Sequence, residues 1–164
     1  MAEANLLVTF DPVRQESSKT EIQEVMKEAG QDIKIESAEE GLAELKVSDA
    51  KAAVKALSAV DKEKFNYTFY WWPVDEWCKA EVEDMQKVIG KLQEGISENE
   101  KWKLDLAKRK TTKEYGRDII IKLTDVVDKK NVDLKNPEKI IKIEIIGDRA
   151  AISLLAKDEL FSAH

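Results

Sequence analysis

Residues 132–146 read Val132-Asp133-Leu134-Lys135-Asn136-Pro137-Glu138-Lys139-Ile140-Ile141-Lys142-Ile143-Glu144-Ile145-Ile146. Val132 to Leu134 is a short extended piece, Lys135-Asn136-Pro137 has turn chemistry, and Ile141, Ile143 and Ile145 alternate with Lys142 and Glu144 as a strand with one buried face does. Downstream, Gly147-Asp148 is a turn that leads into a second apolar stretch, Ala150 to Leu155. Upstream, Trp102, Leu104 and Leu106 alternate with Lys103 and Asp105, which predicts a strand whose end is Lys108-Arg109-Lys110. Between the two lies a helical pattern. Thr111 and Glu114 have capping-box spacing, and Ile119, Ile120, Leu123, Val126 and Val127 form one stripe. From Ala80 another helix is predicted, with Val82, Met85, Val88 or Ile89, and Leu92 inward and Gly95 near its end. Residues 80–155 thus read as an α/β unit.

Working outward to the N-terminal half, Leu6, Leu7, Val8 and Phe10 make a strand ended by Asp11-Pro12. Ser18 and Glu21 suggest a capping box for a helix carrying Ile22, Val25, Met26 and Ala29 on one face, with Gly30 as its stop. Ile33 and Ile35, a Glu39-Glu40-Gly41 turn, then Ala43, Leu45 and Val47 predict a hairpin with one wet face. Ser48 is placed to cap a second helix with Ala50, Ala53, Val54, Leu57 and Val60 inward, and Tyr67 to Trp72 is an aromatic strand. The order βαββαβ is that of a ferredoxin-like plait, so the fold class is α+β: a plait followed by an α/β domain. The boundary is set near residues 74 to 80, dividing the chain into 1–78 and 79–164.

A chain of 164 residues supports one sizeable core or two small ones, which excludes large catalytic folds. No apolar run reaches the roughly 18 residues that span a bilayer, and Met1 to Phe10 lacks the basic start and apolar middle of a signal peptide, so a cytoplasmic protein without membrane contact is expected. Cys78 is the only cysteine and His164 the only histidine, which leaves neither an internal disulfide nor a Cys/His zinc set. No Gly-rich phosphate loop, Ser/His/Asp set or Cys with a reachable His is present, so no catalytic residues and no cofactor are named.

The formal charge of −6 hides an uneven distribution. Residues 1–96 carry 12 Lys/Arg against 20 Asp/Glu, whereas residues 97–164 carry 15 against 13. Between Lys101 and Arg117 the balance is sharper: Lys101, Lys103, Lys108, Arg109, Lys110, Lys113 and Arg117 against Asp105 and Glu114, a local +5. An anionic partner is expected there, and the alternative is a solvated basic face that serves solubility.

The strand Trp102 to Arg109, the helix after it, and the Val-Asp-Leu-x-x-Pro segment before the strand Ile140 to Ile146 resemble a THUMP domain over roughly residues 80–160. The preceding plait is similar to the ferredoxin-like domain found before THUMP in tRNA-modifying enzymes. The resemblance implies tRNA binding. It implies catalysis by another polypeptide, as in adaptor proteins that assist a tRNA cytidine acetyltransferase. Trp102 stands where the family has Phe or Tyr. An RNA phosphate is expected at the helix start near Thr111, close to Lys108, Arg109, Lys110 and Lys113. Lys135 and Asn136 are a candidate second lip of the groove. Arg149 reaches either a phosphate or Asp148 or Glu144.

Tyr67, Phe69, Tyr70, Trp71, Trp72 and Trp77 read more readily as core or inter-domain packing than as a stacking platform for bases. Two other functions are open: a protein-interaction module using the acidic first half, and a fragment of an RNA-modifying enzyme.

Overall fold

The computed structural model describes residues 3–164; the first two residues of the opening Met1 to Phe10 segment lie outside the described residues. The chain forms two compact units, residues 3–74 with 158–164 and residues 75–157.

In the first unit, β1 (Leu6–Phe10), α1 (Gln15–Glu28), β2 (Ile33–Glu39), β3 (Leu42–Val47), α2 (Ala50–Ala56) and β4 (Thr68–Pro73) follow the predicted βαββαβ order. The sheet order β2-β3-β1-β4 with antiparallel neighbours is that of a ferredoxin-like plait. Its core joins Leu6, Val8 and Phe10 to Ile22, Val25 and Met26 of α1, Ala53 and Val54 of α2, and Trp71 of β4. The β2–β3 turn has both Glu40 (φ 51) and Gly41 (φ 83) in the left-handed region, as a tight two-residue hairpin requires.

Both predicted helix caps of this unit are displaced. Asp11 accepts from Val13 N at 3.0 Å and caps a short 3-10 turn at Pro12–Arg14, so α1 begins at Gln15 and Ser18 is a buried interior residue. Pro12, with its fixed φ and missing N–H, is the reason the helix starts earlier. Glu21 does not reach back to an N-cap. Its carboxylate accepts from the backbone N–H groups of Asn66, Tyr67 and Thr68 and from the Thr68 hydroxyl, organising the entry into β4. At α2 the cap is Asp49, whose side chain accepts from Ala52 N at 3.1 Å, one residue after the predicted Ser48.

The second unit has β5 (Glu76–Lys79), α3 (Val82–Leu92), β6 (Trp102–Arg109), α4 (Arg117–Thr124), β7 (Lys139–Ile146) and β8 (Arg149–Ala156), with sheet order β5-β8-β7-β6. Only β6 and β7 run parallel, joined through α4 as a crossover connection needs. Ile141, Ile143 and Ile145 pack with Met85, Val88, Ile89, Leu123, Ala150 and Ile152. β5 is a strand that the sequence reading did not predict, and Trp77 lies in it rather than in the aromatic strand of the plait.

The first unit runs to Val74, so residues 75–78, assigned from the sequence to the first domain, lie in the second unit, and the chain end does not stay with the second unit. β9 (Phe161–Ser162) pairs with β4, so residues 158–164, read from the sequence as part of the second domain, complete the first sheet. A two-residue strand has too little periodicity to be seen in sequence; Phe161 against Phe65 (5.2 Å between centroids) and the ion pairs Lys51–Glu159 and Lys55–Asp158 hold it. No helix among the described residues is long and apolar enough to cross a membrane.

Candidate nucleic-acid interface

The basic residues singled out from the sequence divide between the two ends of β6. Lys101, Lys135 and Asn136 lie at its N-terminal end, where Trp102 makes an isolated parallel bridge to Val132. There Asp133 accepts from the backbone N–H groups of Lys135 and Asn136, both at 3.0 Å, and pairs with Lys101 at 3.8 Å. Those backbone donors, Asn136 first, hold the Asp133 carboxyl below its ordinary range. The Lys135-Asn136 turn is therefore built by Asp133.

The other end of β6 is about 23 Å away at roughly 3.3 Å per residue, so Lys135 and Asn136 do not form a second lip beside Lys108. Three connections meet at that far end: β5 to α3, β6 to α4, and the β7–β8 turn. Gly147 N donates to Arg109 O at 2.8 Å, Ala80 N to Asp148 O at 2.9 Å, and the Tyr115 hydroxyl to Ala80 O at 3.1 Å. Strand register puts Arg109, Ile146, Arg149 and Lys79 in one row across the sheet. The end thus collects Lys79, Lys108, Arg109, Lys110, Lys113, Arg117 and Arg149, opposed by Glu81, Glu114, Asp118 and Asp148.

The loop between β6 and α4 differs from its predicted form. Thr111 does not cap a helix: its hydroxyl accepts from Lys113 N at 3.1 Å, closing a local turn, and α4 starts six residues later with Gly116 as N-cap. A hydroxyl turn of this kind competes with helix formation at Thr and Ser. Lys110 sits at φ 56, a left-handed conformation that directs the loop away from the strand. The helix start is thus moved to Arg117, and no side chain caps it.

Individual cations play unequal parts. Lys108 donates to Lys113 O at 2.9 Å and pairs with Glu114 at 3.4 Å; Lys113 pairs with Glu81 at 3.2 Å and lies over the Tyr115 ring. These pairs are exposed and exchangeable, each worth at most about 1 kcal/mol. Arg109 is different. Its guanidinium lies 3.5 Å from Glu144, whose side chain is 2% exposed. Burial pushes the Glu144 carboxyl above its ordinary range, with Arg109 acting in the opposite direction, and burial also pulls the neighbouring Lys142 ammonium down. Arg109 is accordingly a structural counter-charge, as is Lys103 toward Asp105 at 3.4 Å. Arg149 lies over the Trp77 ring at 4.6 Å. The sequence reading missed Lys79 and Tyr115; Lys79 becomes visible only when β5 is paired with β8.

Burial pushes the Cys78 thiol up to about 11, which leaves it mostly protonated near neutrality. Among the described residues, no three His, Cys, Asp or Glu side chains are grouped to hold a metal ion.

In the aromatic run, Trp71 and Trp72 are buried, Trp71 edge-on to Phe65, while Phe69 and Tyr70 are exposed.

A family model for the THUMP domain matches residues 79–155. No curated protein sequence matches the chain. Three of the solved structures that share its fold illustrate the likeness. PH1313 from Pyrococcus horikoshii aligns with a TM-score of 0.66 and 19% identity over 94% of this chain and 55% of that one. TrmN from Thermus thermophilus aligns with a TM-score of 0.58 and 11% identity, covering 91% and 44%. A 4-thiouridine synthetase, solved in complex with RNA and bound ATP, aligns with a TM-score of 0.55 and 14% identity, covering 98% and 42%. The chain therefore spans about half the length of the solved chains it matches. By the family match, residues 79–155 of this protein form a THUMP domain.

Proposed function

We propose that the protein binds tRNA and presents it to a separate modifying enzyme, serving as adaptor for N4-acetylation of cytidine, and that it carries no catalysis of its own. The observation that carries the reading is the convergence of Lys79, Lys108, Lys110, Lys113, Arg117 and Arg149 at one end of the THUMP sheet, beside the uncapped start of α4. Phosphate oxygens suit such a surface because lysine and arginine neutralise them and free backbone N–H groups complete the contact. The likeness to a fold solved with RNA is in keeping with this reading. Grip through phosphates and shape is the mode by which folded RNA is held when base edges are out of reach.

The test is tRNA affinity by fluorescence anisotropy for the variant carrying Lys108→Glu, Lys110→Glu and Arg117→Glu. Arg109 is left intact because its partner Glu144 is buried. Affinity is expected to fall at least about tenfold at low salt with far-UV circular dichroism unchanged; an unchanged affinity overturns the reading. Mass analysis of tRNA nucleosides, after reaction with a tRNA cytidine acetyltransferase in the presence and absence of this protein, then tests the adaptor role. The protein alone is expected to leave the nucleosides unmodified.

A further inference from the structure

β6 is the edge strand of the THUMP sheet, and its outer side is almost entirely open. Lys101 O and Arg109 O face β7, since they accept from Glu138 N and Gly147 N. The alternation along a strand therefore turns the backbone groups of Trp102, Leu104, Leu106 and Lys108 outward. Trp102 is occupied: its N–H donates to Asn131 O and its carbonyl accepts from Asp133 N, both at 2.9 Å, in a parallel bridge that ends after one residue. Among the described residues, no backbone partner is found on the outer side of Leu104, Leu106 or Lys108. An unpaired edge of this kind is usually shortened, bulged or covered. Here it is eight residues long, free of proline, and continuous in register with β7.

The borders of the edge define what fits. On the helix side, Leu104 and Leu106 are partly buried against the core, and Val132 and Leu134 stand beside the seeded bridge at 57% and 73% exposure. On the opposite side lie Lys103, Asp105, Ala107 and Arg109; with Arg109 balanced by the buried Glu144, Lys103 and Lys108 against Asp105 leave the edge a net charge of +1, and the ion pairs of both lysines are surface pairs that a stronger acidic partner can displace. We infer that the outer edge of β6 receives an extended acidic polypeptide segment from a partner protein, which continues the one-residue bridge at Trp102 as a fifth strand. Main-chain hydrogen bonds at Leu104, Leu106 and Lys108 hold it; alternate apolar side chains lie along Leu104 and Leu106, and acidic ones face Lys103. The same lysines discourage lysine-rich strands from pairing there. This inference goes beyond tRNA binding and stands whether or not tRNA is the ligand of the far end of β6.

The test uses the full chain and a synthetic peptide of about seven alternating valine and glutamate residues, the length of an average strand, with a valine–lysine peptide, oligouridylate and no addition as comparisons. Amide hydrogen exchange is read at Leu104, Leu106 and Lys108. The glutamate peptide at millimolar concentration is expected to slow exchange at these three amides about tenfold, and the lysine peptide to leave them unchanged. Lys108→Pro is compared with Lys108→Ala: both remove the charge, but only proline removes the outward N–H, and an edge strand accepts proline there. The proline variant is expected to lose protection at Leu106 that the alanine variant keeps. Lys103→Glu supplies a second variant that leaves the backbone intact and is expected to reverse the preference between the two peptides. The inference is overturned if the glutamate peptide gives no protection, if both peptides protect equally, or if oligouridylate gives the same pattern. It is also overturned if the amides are already slow in the free protein and speed up on dilution, since the occupant would then be a second copy of this chain.

Discussion

A carboxylate that accepts from three backbone N–H groups and a hydroxyl cannot become an amide without turning a donor toward donors. Glu21 receives Asn66 N at 2.7 Å, Tyr67 N at 3.0 Å, Thr68 N at 2.8 Å and the Thr68 hydroxyl at 2.7 Å, and it is 5% exposed. Glu21→Gln is expected to destabilise the protein by about 2–4 kcal/mol, read as a lower urea midpoint with an unchanged slope. Arg109→Ala is expected to cost about 2–3 kcal/mol at neutral pH, because it leaves the buried Glu144 charge without its nearest cation. Its pH dependence has a definite sign. The folded-state carboxyl of Glu144 already lies above its ordinary value, and losing Arg109 raises it further. The folded form then takes up a proton that the unfolded form does not, so stability returns as pH falls from neutrality toward the carboxylate range. Urea titrations of wild type and variant across that range should therefore converge on the acid side; a gap that widens there contradicts the account.

The elements that shape the candidate interface are those with the weakest periodic signal. The stretch from Lys110 to Gly116 has no regular structure, held by the Thr111 turn, the Lys113–Glu81 pair and the Tyr115 hydroxyl. β9 is shorter still, yet it covers the edge of β4 and packs Phe161 on Phe65. Truncation after Lys157 is expected to lower stability by about 2 kcal/mol or more, from lost apolar burial alone. The loss should appear in the first unit, as earlier exposure of Trp71 in fluorescence-detected unfolding. Retained stability would mean that the tail contributes only coverage of the edge.

Across the molecule, charge is segregated although the total is negative: the first 96 residues are strongly acidic and the rest slightly basic. A tRNA held through Lys108, Lys110, Lys113 and Arg117 makes roughly four phosphate contacts, so the slope of log affinity against log salt is expected near −3 to −4. A slope close to zero with measurable affinity would place the grip outside this basic end. The acidic plait would repel phosphate, an effect that weakens as salt shortens the screening length.

The βαββαβ order of the plait, the strand pattern of residues 102–109 and 139–155, and the helices at 82–92 and 117–124 were legible from hydrophobic periodicity, because each presents a buried face longer than one turn or one pleat. The THUMP resemblance rested on the same strands and on the Val132 to Pro137 segment. Local competitions were not legible: Asp11 and Pro12 starting α1 ahead of Ser18, Asp49 displacing Ser48, and the Thr111 hydroxyl closing a turn instead of capping α4. Each turns on which of several adjacent polar side chains reaches a backbone N–H, a choice that spacing leaves degenerate. The basic cluster was visible as charge between Lys101 and Arg117, but its division between the two ends of β6, the commitment of Arg109 to Glu144, and the arrival of Lys79 and Arg149 from other strands depend on pairing across the sheet. Composition specifies how many cations a segment has; strand register, which joins residues far apart in the chain, specifies which of them face solvent together.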